Sequence, residues 1–207
     1  MSSKKKIAIS ISALALIVVA AIVAVVVVFA ARSANFGGDF GGGYTAHHVN
    51  ASITGAYKIG AEVTDEEGWT DLTTSGTSTP NTIEFTDNIE TGDEQATQTF
   101  NEVNGLVLTA TDNVIFKYTI VNTGESGENF TIVGTQSGSF DNLTVTYKYK
   151  EGEGVAQDLS VSADKTTAIT VEGGETVTLY VIISITNPDN NASFDGSVNW
   201  NLGGVGA

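Results

Sequence analysis

The sequence predicts an all-β protein: an Ig-like or jelly-roll antiparallel β-sandwich preceded by one N-terminal transmembrane helix. Three observations lead there. Residues 7–31, IAISISALALIVVAAIVAVVVVFAA, carry no charge and only two serines, Ser10 and Ser12. From Val49 onward the chain is rich in Thr, Val, Ile and aromatics, punctuated by Gly, Asn and Asp, which is strand composition bounded by turn chemistry. No amphipathic helical period follows the apolar run, so the strands must cover one another in two sheets.

The apolar run decides the topology. At 1.5 Å per residue it makes roughly 37 Å of helix, enough to cross a bilayer core of about 30 Å with some tilt. Lys4, Lys5 and Lys6 precede it, whereas only Arg32 follows before Lys58. The positive-inside bias keeps residues 1–6 in the cytoplasm as a basic tail and sends everything after Arg32 outward. The lipid bilayer is therefore an expected partner of residues 7–31. A cleaved secretory signal is the alternative, since Ala30 to Ser33 offers small-residue cleavage contexts, although its apolar core is usually shorter. A pilin-like assembly helix would carry an early acidic residue, and none is present.

Composition limits the exported part. All 24 acidic residues lie beyond Arg32, where six basic residues leave a formal charge of −18. Such a surface disfavours nucleic acid and anionic lipid as partners. The chain has no cysteine, which removes disulfides, thiolate metal sites and Cys nucleophiles. An exported domain without disulfides points to a single-membrane bacterium or another host that does not rely on oxidative folding.

Residues 32–48 read as a Gly-rich spacer, with five glycines and three aromatics and no strand period. The four-residue spacing of Phe36, Phe40 and Tyr44 would suit a helix were it not for the glycines. Residues 49–207 then form the extracellular sandwich domain. Alternation predicts strands over 49–59, 82–86, 105–111, 114–122 and 143–150, a strand starting at Phe130, and others over 168–171, 176–186 and 194–202: eight or nine in all. Asp112-Asn113 reads as the tight turn of a hairpin joining 105–111 to 114–122. Residues 151–154 and 172–175 read as turns. Asn122 and Asn187 each close an aliphatic strand and look like corners where a sandwich strand turns over.

Residues 187–200, NPDNNASFDGSVNW, place an Asn, then Phe194-x-Gly196, then Trp200. That spacing resembles the C-terminal strand region of the TasA/camelysin-like exported proteins of Gram-positive bacteria. The Val121-Asn122-Thr123-Gly124 turn and the lysine-led export segment are similar too. The resemblance covers about a third of the chain and implies a jelly-roll-type sandwich that polymerises into extracellular matrix fibres. The long apolar run departs from cleaved family members. Camelysin's proteolytic activity is not implied, because no metal-binding constellation accompanies the likeness.

No catalytic, cofactor-binding or metal-binding residues are assigned, and no cofactor is expected. The only histidines, His47 and His48, are adjacent in the spacer and read as a solvated pair. No G-x-S-x-G elbow occurs. The oxygen-rich stretches Asp65-Glu66-Glu67 and Asp189-Asn190-Asn191 suit calcium, but lack EF-hand spacing and read as turns. Asn50, Asn129, Asn142 and Asn191 head N-x-[ST] sequons, about as many as chance gives among fifteen asparagines. Trp200 and Phe194 read as core residues, with an exposed carbohydrate platform as the alternative.

The sequence thus describes a non-catalytic structural or interaction protein of the cell surface. It is expected to be single-pass with its C-terminal domain outside, or else secreted after cleavage near Ala30 to Ser33. Its expected partners are further copies of itself, with fibre formation by a donated 33–48 segment. The alternative is a binding module for a surface protein or carbohydrate.

Overall fold

The computed structural model describes residues 33–47, 49–60, 63, 67–75, 83–85, 95–103, 106–109, 112–161, 168–186 and 192–204. The expected membrane helix over residues 7–31 lies outside them. Among the described residues all regular structure is β, and no helix is long and apolar enough to cross a membrane.

Thirteen strands are described: β1 Ser33–His47, β2 Ala51–Gly60, β3 Thr70–Asp71, β4 Ile83–Phe85, β5 Gln95–Val103, β6 Val107–Thr109, β7 Asn113–Asn122, β8 Phe130–Asp141, β9 Leu143–Glu151, β10 Gln157–Leu159, β11 Ile169–Val171, β12 Thr176–Ile185 and β13 Ala192–Gly204. One sheet runs β11-β8-β13-β1-β5, with β6 also on β1. The other runs β10-β9-β12-β7-β2-β3, with β4 also on β2. The inner faces of both sheets feed one core, in which Tyr44, Phe100 and Trp200 meet Tyr118, Leu179 and Val181. The architecture is a β-sandwich.

Strand β12 shows why these residues pair. Val177, Leu179, Val181 and Ile183 alternate inward and are all but fully buried, each worth about 1.5–3 kcal/mol. Between them Tyr180 and Ile182 point outward yet are also buried, under Trp69, Val63 and Ala156 beside Ile115. A strand covered on both faces reads as an unbroken apolar run. Lys58 and Lys117 bracket that covering indole, their Nζ atoms 4.6 and 4.3 Å from the ring centroid.

Three expectations need correction. The Gly-rich spacer of residues 32–48 is, over Ser33–His47, strand β1 in the interior of a sheet. Glycine hid it, because a strand without side chains has no period to read. The sandwich is not purely antiparallel, since β1 and β13 run parallel from Phe36↔Ala192 to His47↔Gly203. The hairpin across Asp112-Asn113 is not formed either. β6 pairs with β1, whereas β7 pairs with β12 and β2 in the other sheet. Local turn chemistry reverses a chain without saying which sheet receives it. The four strands beyond the nine expected are β1, the nine-residue β5, and the two- and three-residue β3 and β10, the last two too short to carry a pattern.

Candidate interaction interface

Strand β1 is the element by which this domain makes a contact that its own sequence does not advertise. It lies between β13 and β5, with Tyr44 level with Trp200 on one side and Gln98 on the other. Tyr44 is fully buried and meets Phe100 and Tyr118 edge-on, at centroid distances of 5.6 and 5.7 Å. These aromatic contacts tie β1 across the sandwich as well as along its own sheet.

Two glycines of β1 stand close against neighbouring side chains. A Cβ on Gly42 would stand 3.1 Å from Tyr118 Oη inside the core, and one on Gly43 would stand 2.8 Å from Asn199 Oδ1 on the outer face. Across β13, Gly134 of β8 makes room for the Trp200 ring, which a Cβ there would strike. Neighbouring rings and amides thus fill the space that β1 leaves.

Polar satisfaction fails along the same seam. Tyr44 Oη and Trp200 Nε1 are buried without a hydrogen-bond partner, each at a cost of about 1–3 kcal/mol. Burial, and secondarily the nearby Tyr118, pushes the Tyr44 hydroxyl well above its ordinary pKa. Burial does the same to Tyr118, with Tyr147 adding to the effect, and to Tyr147 itself. Tyr147 donates to Gln136 Oε1 and so is satisfied.

The hinge leaving β1 is short. Residues 48–50 carry the chain to β2 in the opposite sheet, and Thr123 N–H donates to Asn50 O at 2.9 Å. Next to this anchor stands Asn122, the corner expected from sequence, at 1% exposure. Its Nδ2 donates to Glu128 O at 2.7 Å and Val171 O at 3.1 Å, and its Oδ1 accepts from Gly124 N at 2.9 Å. The matching corner at Asn187 lies outside the described residues.

Other residues singled out from sequence fall as follows. Trp200 is 1% exposed and is a core residue rather than a carbohydrate platform; the side chain of Phe194 lies outside the description. His47 ends β1, and His48 lies outside the described residues, as do Asp65, Glu66 and 189–191. Among the described residues no three His, Cys, Asp or Glu side chains are placed to hold a metal. A cleft of about 410 Å³ at one end is lined by Glu151, Gly152, Gly174, Glu175 and Thr176, with no aromatic ring. The outward positions of β8, β13 and β1 include Thr135, Ser137, Ser197, Asn199, Asn201 and Thr45.

Comparison with known proteins finds no matching family model and no matching curated protein. Among solved structures, the chain is similar to the major pilin protein (T-13) of Streptococcus pyogenes, with 9% identity over 82% of this chain and 98% of that one, at a TM-score of 0.18. It is also similar to the collagen adhesin of S. aureus, with 13% identity over 76% and 84% of the two chains, at a TM-score of 0.24. Scores at this level carry no argument about function.

Proposed function

We propose that this chain is an exported, non-catalytic surface protein that assembles with copies of itself by exchanging strand β1. The observation that carries the reading is the position of β1: a glycine-rich N-terminal strand, interior to a sheet, joined to the rest by a three-residue hinge. The same contacts form when β1 comes from a second molecule, and a head-to-tail exchange that does not close propagates as a fibre. A short hinge between two sheets favours such exchange. The parallel, glycine-rich β1–β13 seam, with two orphaned polar groups, is the weak place at which a strand leaves.

Export rests on the apolar run over residues 7–31 and the lysines before it. In the anchored form β1 begins two residues beyond the bilayer segment and stays near the membrane. Cleavage near Ala30 to Ser33 frees it to be donated. A jelly-roll-type winding and matrix-fibre role, as the TasA/camelysin resemblance implies, belong to the same reading. The absence of catalysis is part of the proposal as well, resting on a sequence with no cysteine, no G-x-S-x-G elbow and only two, adjacent histidines.

The test uses residues 33–207 at rising concentration, followed by light scattering and electron microscopy. Concentration-dependent oligomers or fibres are expected, and a mixture with a chain whose β1 is tethered by an engineered hinge disulfide should assemble less. A monomer at every concentration sinks the reading.

A further inference from the structure

We propose that Asn142 is an N-glycosylation site, carrying an oligosaccharide on its carboxamide nitrogen. Four sequons occur in the chain, and their number alone decides nothing. Geometry separates them.

Asn142 is the single residue between β8 and β9, which belong to different sheets, so it sits on the outer corner of the sandwich. Its φ of 59° is the left-handed conformation that Asn tolerates best after glycine. The backbone there is pinned, because Asn142 O accepts from Thr186 N at 2.8 Å. Leu143 turns into the core, while Asn142 and Thr144 are both exposed on its two sides. The acceptor amide and the hydroxyl that completes the sequon therefore stand outside together, on a rigid corner with solvent beyond. Thr144 Oγ1 touches only Thr186 Oγ1, at 2.9 Å, among the contacts given for it.

The other sequons lack this arrangement. Asn129 has a buried Oδ1, and Thr131 Oγ1 donates to Gly203 O at 3.3 Å. A glycan on Asn129 would have to be housed where the carboxamide already meets the protein. Asn50 and Ser52 are both half-buried, and Ser52 is flanked by strands on both sides, level with Val121 and Glu84. Asn191 lies outside the described residues.

The reaction joins Asn142 Nδ2 to C1 of the first sugar. The C1–O bond to the phosphate of a lipid-linked oligosaccharide breaks, the lipid phosphate leaves with the bonding pair, and the amide proton is lost. The donor is of that chemical class, and no oxidant or reductant enters. The proposal rests on the export part of the proposed function, because transfer takes place on the outer side of the membrane.

The experiment is peptide mapping by mass spectrometry of the full chain isolated from its own cells, with Asn142→Gln, Thr144→Ala and Thr144→Ser variants. The Asn142 peptide is expected to carry an oligosaccharide mass, lost in N142Q and T144A and kept in T144S. Thr144→Ala keeps Asn142 and removes only the hydroxyl that completes the sequon and meets Thr186, and an unchanged thermal transition of T144A shows that loss there does not reflect misfolding. An unmodified Asn142 peptide overturns the proposal, as does a modification that survives T144A. Protease added to intact cells separates the two readings. A chain digested from outside but bare at Asn142 refutes glycosylation alone, and one protected throughout refutes export.

Discussion

Strands β1 and β12 hold equivalent places, each interior to its sheet and hydrogen-bonded along both sides, and they are made of opposite materials. β12, TVTLYVIISI, supplies its own reasons to be a strand: β-branched residues, inward alternation and a covered outer face. β1, SANFGGDFGGGYTAH, supplies almost none over its glycines, and takes its shape from Tyr118, Trp200 and Asn199 around it. A strand specified by its groove is one that the groove can accept from elsewhere. The difference teaches where the molecule is closed and where it can be opened.

The most severe way to break the comparison is to remove β1. Without residues 33–48, β13 loses a partner over twelve register positions and β5 loses its partner strand. The fragment 49–207 is expected to lose its cooperative thermal transition in calorimetry, and a synthetic 33–48 peptide added in excess should restore it. An unchanged transition without the peptide shows that β1 is dispensable.

The contrast also explains what could be read in advance. β9 and the second half of β7 were legible because buried and more open side chains alternate along them, β12 because it is an unbroken apolar run, and the Asn122 corner because an aliphatic strand ends in a turn. β1 was not, since five of its fifteen residues have no side chain and its partners lie 48 to 156 positions away, from Gln95 opposite His47 to Ala192 opposite Phe36. The seam was therefore invisible as a site. The signal available was the aromatics set among the glycines, of which the structure places Tyr44 fully buried.

Truncation in the self-specified strand comes next in size. Leu179→Ala empties a fully buried position and should cost about 2–5 kcal/mol in chemical denaturation, without altering the oligomeric state. A change in assembly by this variant as large as that from β1 variants erases the distinction between the two strands.

Alkaline pH probes the seam through its tyrosines. Burial raises the Tyr44 and Tyr118 hydroxyls above the ordinary tyrosine pKa of about 10, so the folded state holds their protons more tightly than the unfolded state does. Their contribution is whole below pH 10 and is lost as pH climbs past it, at about 1.4 kcal/mol per pH unit for each group. Tyr44→Phe should flatten that slope. It should also raise stability by about 1 kcal/mol near neutrality, since it removes an orphaned hydroxyl. A slope unaltered by the substitution places Tyr44 in water.

The finest test reads the alternation that glycine conceals. Gly42 and Gly43 are neighbours in β1, and successive strand residues face opposite sides. Gly42→Ala drives a methyl towards Tyr118 Oη inside the core, where overpacking costs about 1–3 kcal/mol. Gly43→Ala meets only the end of the Asn199 side chain, and Asn199 is exposed and can swing aside. Its remaining effect is on the unfolded chain, whose lost freedom favours the folded state by about 0.4–1 kcal/mol. Opposite signs at adjacent residues, measured by urea denaturation, are what the β1 register demands. Equal destabilisation at both positions contradicts that register, and with it the groove that β1 is held to fill.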